Sequence, residues 1–194
     1  WRTRRRERRA MVDITRQDLR RAARFLAAIG AASADAAGFA RAGVALLPEL
    51  VASDLTTLSD CDLSDGRRQV VSHPGNALSA EDVACFDRFF HEHPLVRFHG
   101  RNLTGGTRRV SDIVTPSRFR RSPLFNEYYR RIGVRHVVAV PLRLDGKRIV
   151  SFVLNRSGRD FSDRDRELLD LVRGGLAALY ENACAAATAA DGLA

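Results

Sequence analysis

The chain has 194 residues and a net charge of +9, with 45% hydrophobic and 28% charged residues. This length suits one domain with a full hydrophobic core, and no apolar run is long enough to predict a membrane-spanning segment. The N-terminal run WRTRRRERR carries +5 of the net charge, so the rest of the chain is only mildly basic. Most of the charge therefore indicates a solvated arm and not a nucleic-acid-binding surface.

Cysteine usage and the N-terminal pattern both predict a cytoplasmic location. Cys61, Cys85 and Cys184 are isolated thiols without a CxxC pair, so neither a disulfide framework nor a zinc ribbon is indicated. The basic N-terminal run leads into an amphipathic pattern and not into the apolar segment of a signal peptide. Lys147 is the one lysine among many arginines and alanines, a bias typical of GC-rich bacterial coding sequences.

The first third of the chain predicts two helices and a strand pair. A capping box, Thr15-x-x-Asp18, begins the first helix, and Gly30 ends it. Ser33 can cap a second helix that reaches Pro48. The segments DLTTLSDCD and GRRQVVSH, joined by a polar turn, then predict a hairpin of two short strands.

The middle of the chain predicts helices separated by irregular segments. The capping box Ser79-x-x-Asp82 begins a third helix that is expected to end at His93-Pro94. The segment 95–115 is expected to be irregular apart from a short strand at RRVSDIV. Thr115-Pro116 and Ser122-Pro123 predict one helical turn and then a helix that ends at Gly133.

The last third carries the strongest strand pattern and a long helix. VRHVVAVPLRL and KRIVSFVLN lie on either side of Asp145-Gly146, a dipeptide that favours a tight hairpin turn. Ser162 caps the final helix, which is expected to run to about Ala183. The whole order predicts an α+β fold with a mostly antiparallel central sheet flanked by helices.

Three segments occur in an order that resembles a known family. They are HEHPLVRFHG, VSDIVTPSRFRRSPLFNEYYRRIGVRH and IVSFVLNRSGRDFSDRDRELLDLVRGGL. Together they resemble the GAF-like N-terminal sensor domain of LuxR-type bacterial transcriptional regulators, over about residues 15–185. The resemblance implies a GAF/PAS-like fold whose N- and C-terminal helices pack together. It also implies a small-molecule ligand, a homodimer, and a C-terminal helix that leads to a DNA-binding domain.

The resemblance divides the chain into three parts. Residues 1–13 are expected to be a disordered basic arm, residues 14–185 a single GAF-like sensor domain, and residues 186–194 a frayed tail or linker stub. The stretch FSDRDRELLDLVRGGL also looks like the first helix of a LuxR-type helix-turn-helix. Only 18 residues follow it, too few for a second helix and a recognition helix. DNA contact is therefore expected only through a helix-turn-helix domain absent from this chain.

GAF-like domains hold small molecules between the sheet and the layer that crosses it. Here that layer is residues 95–133, which are rich in aromatic side chains and can form a mostly apolar pocket with a few polar groups. The alternative is that these aromatics only fill the core. The candidate ligand-binding residues are His99, Phe119, Phe125, Tyr129, His136 and Asn155.

The final helix is the expected dimerisation and signalling element. Its apolar residues exceed what one face needs, because Leu171 points away from the others. A homodimer through residues 15–30 and 163–185 is predicted. Gly174-Gly175 should weaken this helix by about 1 kcal/mol per glycine, so a bend or fraying is expected there. The candidate dimer and signalling residues are Leu168, Leu171, Val172, Leu176 and Leu179.

No catalytic, metal or cofactor site is predicted. His91 and His93 lie two residues apart and so point to different faces of a helix, whose C-terminal dipole favours histidine. GxSxG, P-loop and GxGxxG motifs are lacking. Two alternatives to a sensor stay open: a GAF-fold enzyme such as a methionine sulfoxide reductase that uses cysteines, and an interaction module without a ligand.

Overall fold

The computed structural model describes residues 14–64 and 66–191, so the predicted N-terminal arm lies outside the described residues. Six α-helices are present in this part of the chain: α1 (Arg16–Ala32), α2 (Ala36–Leu50), α3 (Ala80–Phe89), α4 (Pro94–His99), α5 (Pro116–Arg120) and α6 (Asp163–Asp191). The strands are β1 (Leu55–Asp62), β2 (Arg68–His73), β3 (Arg108–Arg109), β4 (His136–Leu144) and β5 (Arg148–Arg156). None of the described helices is both long and apolar enough to cross a membrane.

The five strands form one antiparallel sheet in the order β2-β1-β5-β4-β3. The hairpin of β4 and β5 lies at its centre, with Gly146 in a left-handed conformation (φ 85°) at the turn. In β5, alternate side chains face opposite sides of the sheet, as the strand period of two requires. The predicted α+β fold with a mostly antiparallel sheet is confirmed.

Helices α1, α2 and α6 cover one face of the sheet. Capping boxes begin α1 at Thr15 and α6 at Ser162, as the sequence predicts. Beneath these helices lies an apolar core in which Phe39 of α2 stacks on Phe152 of β5, with ring centroids 5.6 Å apart. The side chain of Arg164 on α6 also pairs with Asp18, so the beginnings of the two helices are joined.

Helix α6 is continuous through Gly174 and Gly175, where a bend or fraying is expected from the sequence. The reason lies in its packing, because Val172 and Leu176 on either side of the glycines are fully buried. A Cβ at Gly175 would lie 2.7 Å from Leu26, so this glycine lets α1 approach α6 closely. The helix also extends to Asp191, through most of the predicted tail 186–194, whose last residues lie outside the description.

The other face of the sheet is covered by shorter elements, and here the sequence predictions were least accurate. The predicted strand at 108–114 is only β3, followed by a 3-10 turn at Val110–Asp112. The predicted helix before Gly133 is a single π-helical segment, Phe125–Tyr129. His93 does not end α3. It caps the N-terminus of α4, whose first residue is Pro94, and its Nδ1 accepts a hydrogen bond from the Leu95 N–H.

Candidate functional site

A cavity of about 60 Å³ lies on the face of the sheet opposite to α1, α2 and α6. Its floor is formed by β1, β4 and β5, and its walls by β2, α3, α4 and the π-helical segment. Its lining includes Arg68, Phe86, His93, His99, Tyr129 and Ser151. The cavity is therefore placed between the sheet and the layer that crosses it.

The floor of the cavity includes several polar side chains among apolar ones, whereas the opposite face of the same strands is apolar. In β5, Val150, Phe152 and Leu154 contribute to the core under the helices, while Ser151 and Asn155 line the cavity. Strand β1 adds Thr57, Ser59 and Cys61 to the lining, and Ser59 is the register partner of Ser151. Buried hydroxyl and amide groups cost free energy unless they are hydrogen-bonded, so this arrangement is suited to a polar occupant.

A buried pair of His93 and Tyr129 forms part of the wall. The His93 Nε2 atom lies 2.7 Å from the Tyr129 hydroxyl, and the His93 Nδ1 atom accepts from the Leu95 N–H at 3.1 Å. Because Nδ1 is an acceptor, the proton of the neutral ring must be on Nε2, which donates to the tyrosine oxygen. The Tyr129 O–H is then left as a donor for another group.

Burial keeps both groups of this pair neutral. It lowers the pKa of His93 to about 3, with smaller effects from His99 and from the charge of Arg68. Burial also raises the pKa of the Tyr129 hydroxyl well above its ordinary value. The wall therefore presents a neutral hydrogen-bond donor at physiological pH.

Two further lining residues carry buried polar atoms that have no hydrogen-bond partner among the described residues. They are Ser151, through its hydroxyl, and His99, through both ring nitrogens. The side chains are 4% and 1% exposed, so bulk water does not satisfy them. Burial, followed by the charges of Arg108 and Arg173, lowers the pKa of His99 to about 4. Native proteins rarely leave such groups unpaired, which indicates that the cavity holds water or a ligand.

Arg68 supplies the positive charge of the site. Its guanidinium lies 4.6 Å from the centre of the Phe86 ring, and its Nε donates to the Asp87 carboxylate at 2.7 Å. The arginine side chain is 6% exposed, whereas that of Asp87 is 40% exposed. The ring and the carboxylate together fix the guanidinium in place at the cavity wall.

The structure brings three of the six predicted ligand-binding residues to the cavity: His99, Tyr129 and Asn155. Asn155 also donates to the carbonyl oxygens of Leu55 and Val153, at 3.2 and 3.3 Å. Its amide is thus partly used within the sheet.

The other three predicted ligand-binding residues lie outside the lining. Phe119 packs on Tyr129 with centroids 5.3 Å apart, and Phe125 packs on Phe119 at 5.4 Å, so both support the wall from behind. His136 lies at the beginning of β4, with its Nδ1 atom 3.5 Å from the Asp160 carboxylate.

Most of the predicted dimer and signalling residues are buried within the chain itself. Leu168, Val172 and Leu176 belong to the core beneath α6, and Leu179 is partly buried against it. Leu171 is 39% exposed and so remains available to a partner.

The cysteines and histidines of the described residues do not form a group of three or more potential metal ligands. Cys61 lines the cavity, and burial raises the pKa of its thiol to about 11. Cys85 is buried on α3, where its thiol donates to the carbonyl oxygen of Glu127 at 3.6 Å.

The GAF domain family matches residues 18–174, and the chain belongs to this family. A comparison with curated protein sequences found no match.

Three solved structures illustrate the likeness of the fold. The VqsR LBD domain from Pseudomonas aeruginosa is 19% identical, with a TM-score of 0.61 over 86% of this chain and 94% of that one. An N-acylhomoserine lactone dependent LuxR family transcription factor, CepR2 from Burkholderia cenocepacia, is 11% identical, with a TM-score of 0.59 over 84% and 93%. The GAF domain of a phosphoenolpyruvate-protein phosphotransferase from Coxiella burnetii is 15% identical, with a TM-score of 0.57 over 86% and 95%. At these identities the likeness concerns the fold.

Proposed function

We propose that this chain is the ligand-sensing and dimerisation domain of a bacterial transcriptional regulator of the LuxR type. It binds a small molecule in the cavity and communicates binding through α6. The observation that carries the proposal is the set of buried, unpartnered polar atoms on Ser151 and His99 beside the free Tyr129 hydroxyl donor. A ligand that hydrogen-bonds to these groups binds the folded state and not the unfolded chain, so the domain gains stability when it binds.

A continuous set of contacts supports α6 as the output element. His99 at the cavity wall packs on Gly105, where an added Cβ would lie 3.1 Å from its Nδ1 atom. Two residues later, the backbone N–H of Thr107 donates to the Asp170 carboxylate of α6 at 2.8 Å. A ligand that moves His99 therefore acts on α6 through residues 105–107, by shifting the population of two arrangements.

The thiols support a binding role over the sulfoxide-reductase alternative. A nucleophilic cysteine must be a thiolate, and a pKa of about 11 keeps Cys61 protonated at neutral pH. Cys85 is buried and engaged with a backbone carbonyl. We therefore propose that the domain has no catalytic activity.

A screen with matched variants on one strand tests the proposed binding site. In the native protein, we expect members of a library of small polar and apolar molecules to raise the thermal unfolding midpoint. Ala139→Leu fills the cavity from β4 and should abolish these shifts. Val138→Leu changes the opposite face of the same strand and should retain them. A library without a single binder, or equal shifts in Ala139→Leu, would contradict the proposal.

A further inference from the structure

We infer that the ligand of this cavity is a small organic acid, whose carboxylate is bound by Arg68 and whose apolar part lies against the aromatic wall. The inference rests on the proposed ligand-sensing function and specifies the chemistry of its ligand. It depends on three features of the site: the charge balance of the lining, the hydrogen-bond donors of Arg68, and the neutral donors and limited space of the cavity.

The first feature is the balance of charge around the cavity. Among the described residues that line it, Arg68 is the one permanently charged side chain, and none is an aspartate or a glutamate. The two histidines of the lining are neutral at physiological pH, because burial lowers the pKa of His93 to about 3 and of His99 to about 4. The lining of the cavity therefore carries one positive charge and no negative one, and the Asp87 carboxylate that pairs with Arg68 lies outside the lining.

The second feature is the availability of the Arg68 donors. The Nε atom of the guanidinium donates a hydrogen bond to the Asp87 carboxylate at 2.7 Å. The two terminal nitrogens have no hydrogen-bond partner among the described residues. A planar guanidinium presents these nitrogens as a fork that matches the two oxygens of a carboxylate. Asp87 is well exposed, so solvent screens its negative charge while it holds the arginine in position.

The third feature is a set of neutral donors and a limited space. The Tyr129 hydroxyl is free to donate, and the Ser151 hydroxyl has no partner in the described chain. The remaining walls are largely apolar, with Phe86, Phe90 and Leu95 among them. The cavity measures about 60 Å³, so the apolar part of the acid must be short or flat.

Matched pairs of acids and amides test this inference. We would measure binding of straight-chain carboxylates from acetate to octanoate, and of benzoate, each beside its primary amide. Calorimetry and the thermal unfolding midpoint give the dissociation constants. At least one carboxylate should bind more tightly than its amide by about tenfold, the preference expected for one charge-assisted hydrogen-bonded pair.

Substitutions of Arg68 separate a specific site from general attraction to a basic protein. Arg68→Gln should bring the carboxylate-to-amide ratio to near one, because the charge-dependent contribution is lost. Arg68→Lys should retain part of the preference. Arg20→Gln, at an exposed position of α1, removes the same charge elsewhere and should leave the ratio unchanged. Unfolding midpoints without ligand establish that each variant is folded.

The outcomes distinguish this inference from the proposed function. Amides that bind as tightly as their acids, or an Arg68→Gln variant that keeps the preference, would overturn the inference and leave the ligand-sensing function in place. The same holds if no acid binds while the library identifies a ligand of another class. If neither the acids nor the library bind, both the inference and the proposed function fail.

Discussion

At the scale of single residues, Gly43 and Gly174 lie in the interiors of helices but have opposite surroundings. A Cβ at Gly43 would lie 2.1 Å from the buried Phe152 ring, whereas a Cβ at Gly174 meets nothing within 4 Å. Gly174→Ala should therefore stabilise the protein by about 1 kcal/mol through helix propensity. Gly43→Ala should destabilise it by roughly 2 kcal/mol, because overpacking exceeds that gain.

Urea unfolding of the two alanine variants against the native protein measures both changes in the free energy of unfolding. Each substitution serves as the control for the other, since both replace a helical glycine by the same residue. A stabilised Gly43→Ala variant would contradict the close packing of α2 on the sheet.

The two buried histidines predict acid sensitivity in a defined range of pH. In the unfolded chain a histidine titrates near pH 6.5, whereas in the folded chain the pKa of His93 is lowered to about 3 and that of His99 to about 4. Between these values the unfolded state binds protons that the folded state does not bind. The contribution of these two histidines to the free energy of unfolding should therefore be constant above about pH 7 and decrease as the pH falls from about 6.5 to about 3.

Unfolding in urea at a series of pH values tests this expectation. His99→Gln should make the free energy of unfolding fall less steeply with decreasing pH, because the unfolded state of this variant binds one proton fewer. His91→Gln, at an exposed position of the same region, should leave it unchanged. An unaltered slope in His99→Gln would contradict the assignment.

Residue patterns predicted part of the site and missed the rest for a physical reason. Tyr129 and His99 were predicted to be near a ligand because they lie in the aromatic layer that the resemblance places over the sheet, and both line the cavity. Arg68 and Ser151 were not predicted. An arginine on an edge strand usually reaches solvent, and a single serine in a strand does not reveal which face it occupies. Only the register of β1, β2 and β5 brings them to one cavity.

At the scale of elements, the contact between residues 105–107 and α6 predicts how binding is communicated. Once a ligand is known, its binding should slow amide hydrogen exchange around residue 170 of α6. Asp170→Ala removes the acceptor of the Thr107 N–H and should abolish this effect while the cavity stays intact. Asp170→Asn keeps an oxygen acceptor at that position and should retain much of it.

Mass spectrometry with and without ligand measures this change in the amide hydrogen exchange of α6. An equal response in Asp170→Ala and in the native protein would show that communication follows another route. Loss of the response in both variants would instead indicate that the charge of Asp170 matters more than its hydrogen bond.

Elements with strong local patterns were predicted well, and elements fixed by tertiary packing were not. The capping boxes, the Asp145-Gly146 hairpin and the final helix follow from local sequence, and the structure confirms them. The π-helical segment Phe125–Tyr129 was predicted as an ordinary helix, because its aromatic spacing does not distinguish the two forms. Tyr128 and Tyr129 are both buried in this segment. Packing likewise overrides the low helix propensity of Gly174-Gly175.

At the scale of the whole molecule, the sheet separates two regions with different tasks. On one side, α1, α2 and α6 form a large apolar core that accounts for most of the buried hydrophobic residues. On the other side, smaller clusters surround a cavity with polar groups in a largely apolar lining. A ligand that hydrogen-bonds to the polar groups of the second side can act on α6 of the first side through residues 105–107.

The proposed homodimer predicts which exposed side chains hold two copies together. Three large hydrophobic residues of the described part of the chain are well exposed: Leu19 on α1, Leu171 on α6, and Leu103 in the loop after α4. The first two lie in the segments proposed for the interface, 15–30 and 163–185. We expect sedimentation equilibrium to detect a dimer at tens of micromolar concentration. Leu19→Glu and Leu171→Glu should each weaken association by at least about tenfold, because each places an unpaired charge in an apolar interface.

Leu103→Glu is the matched control, since it introduces the same charge at an equally exposed leucine outside the proposed interface. It should leave the dissociation constant of the dimer unchanged. None of the three substitutions should lower the unfolding midpoint of the protomer, because no core contact is lost. A monomeric native protein at these concentrations would contradict the dimer. If Leu103→Glu dissociates the dimer and Leu171→Glu does not, the interface involves the cavity side of the sheet. Signalling through α6 would then act within one protomer.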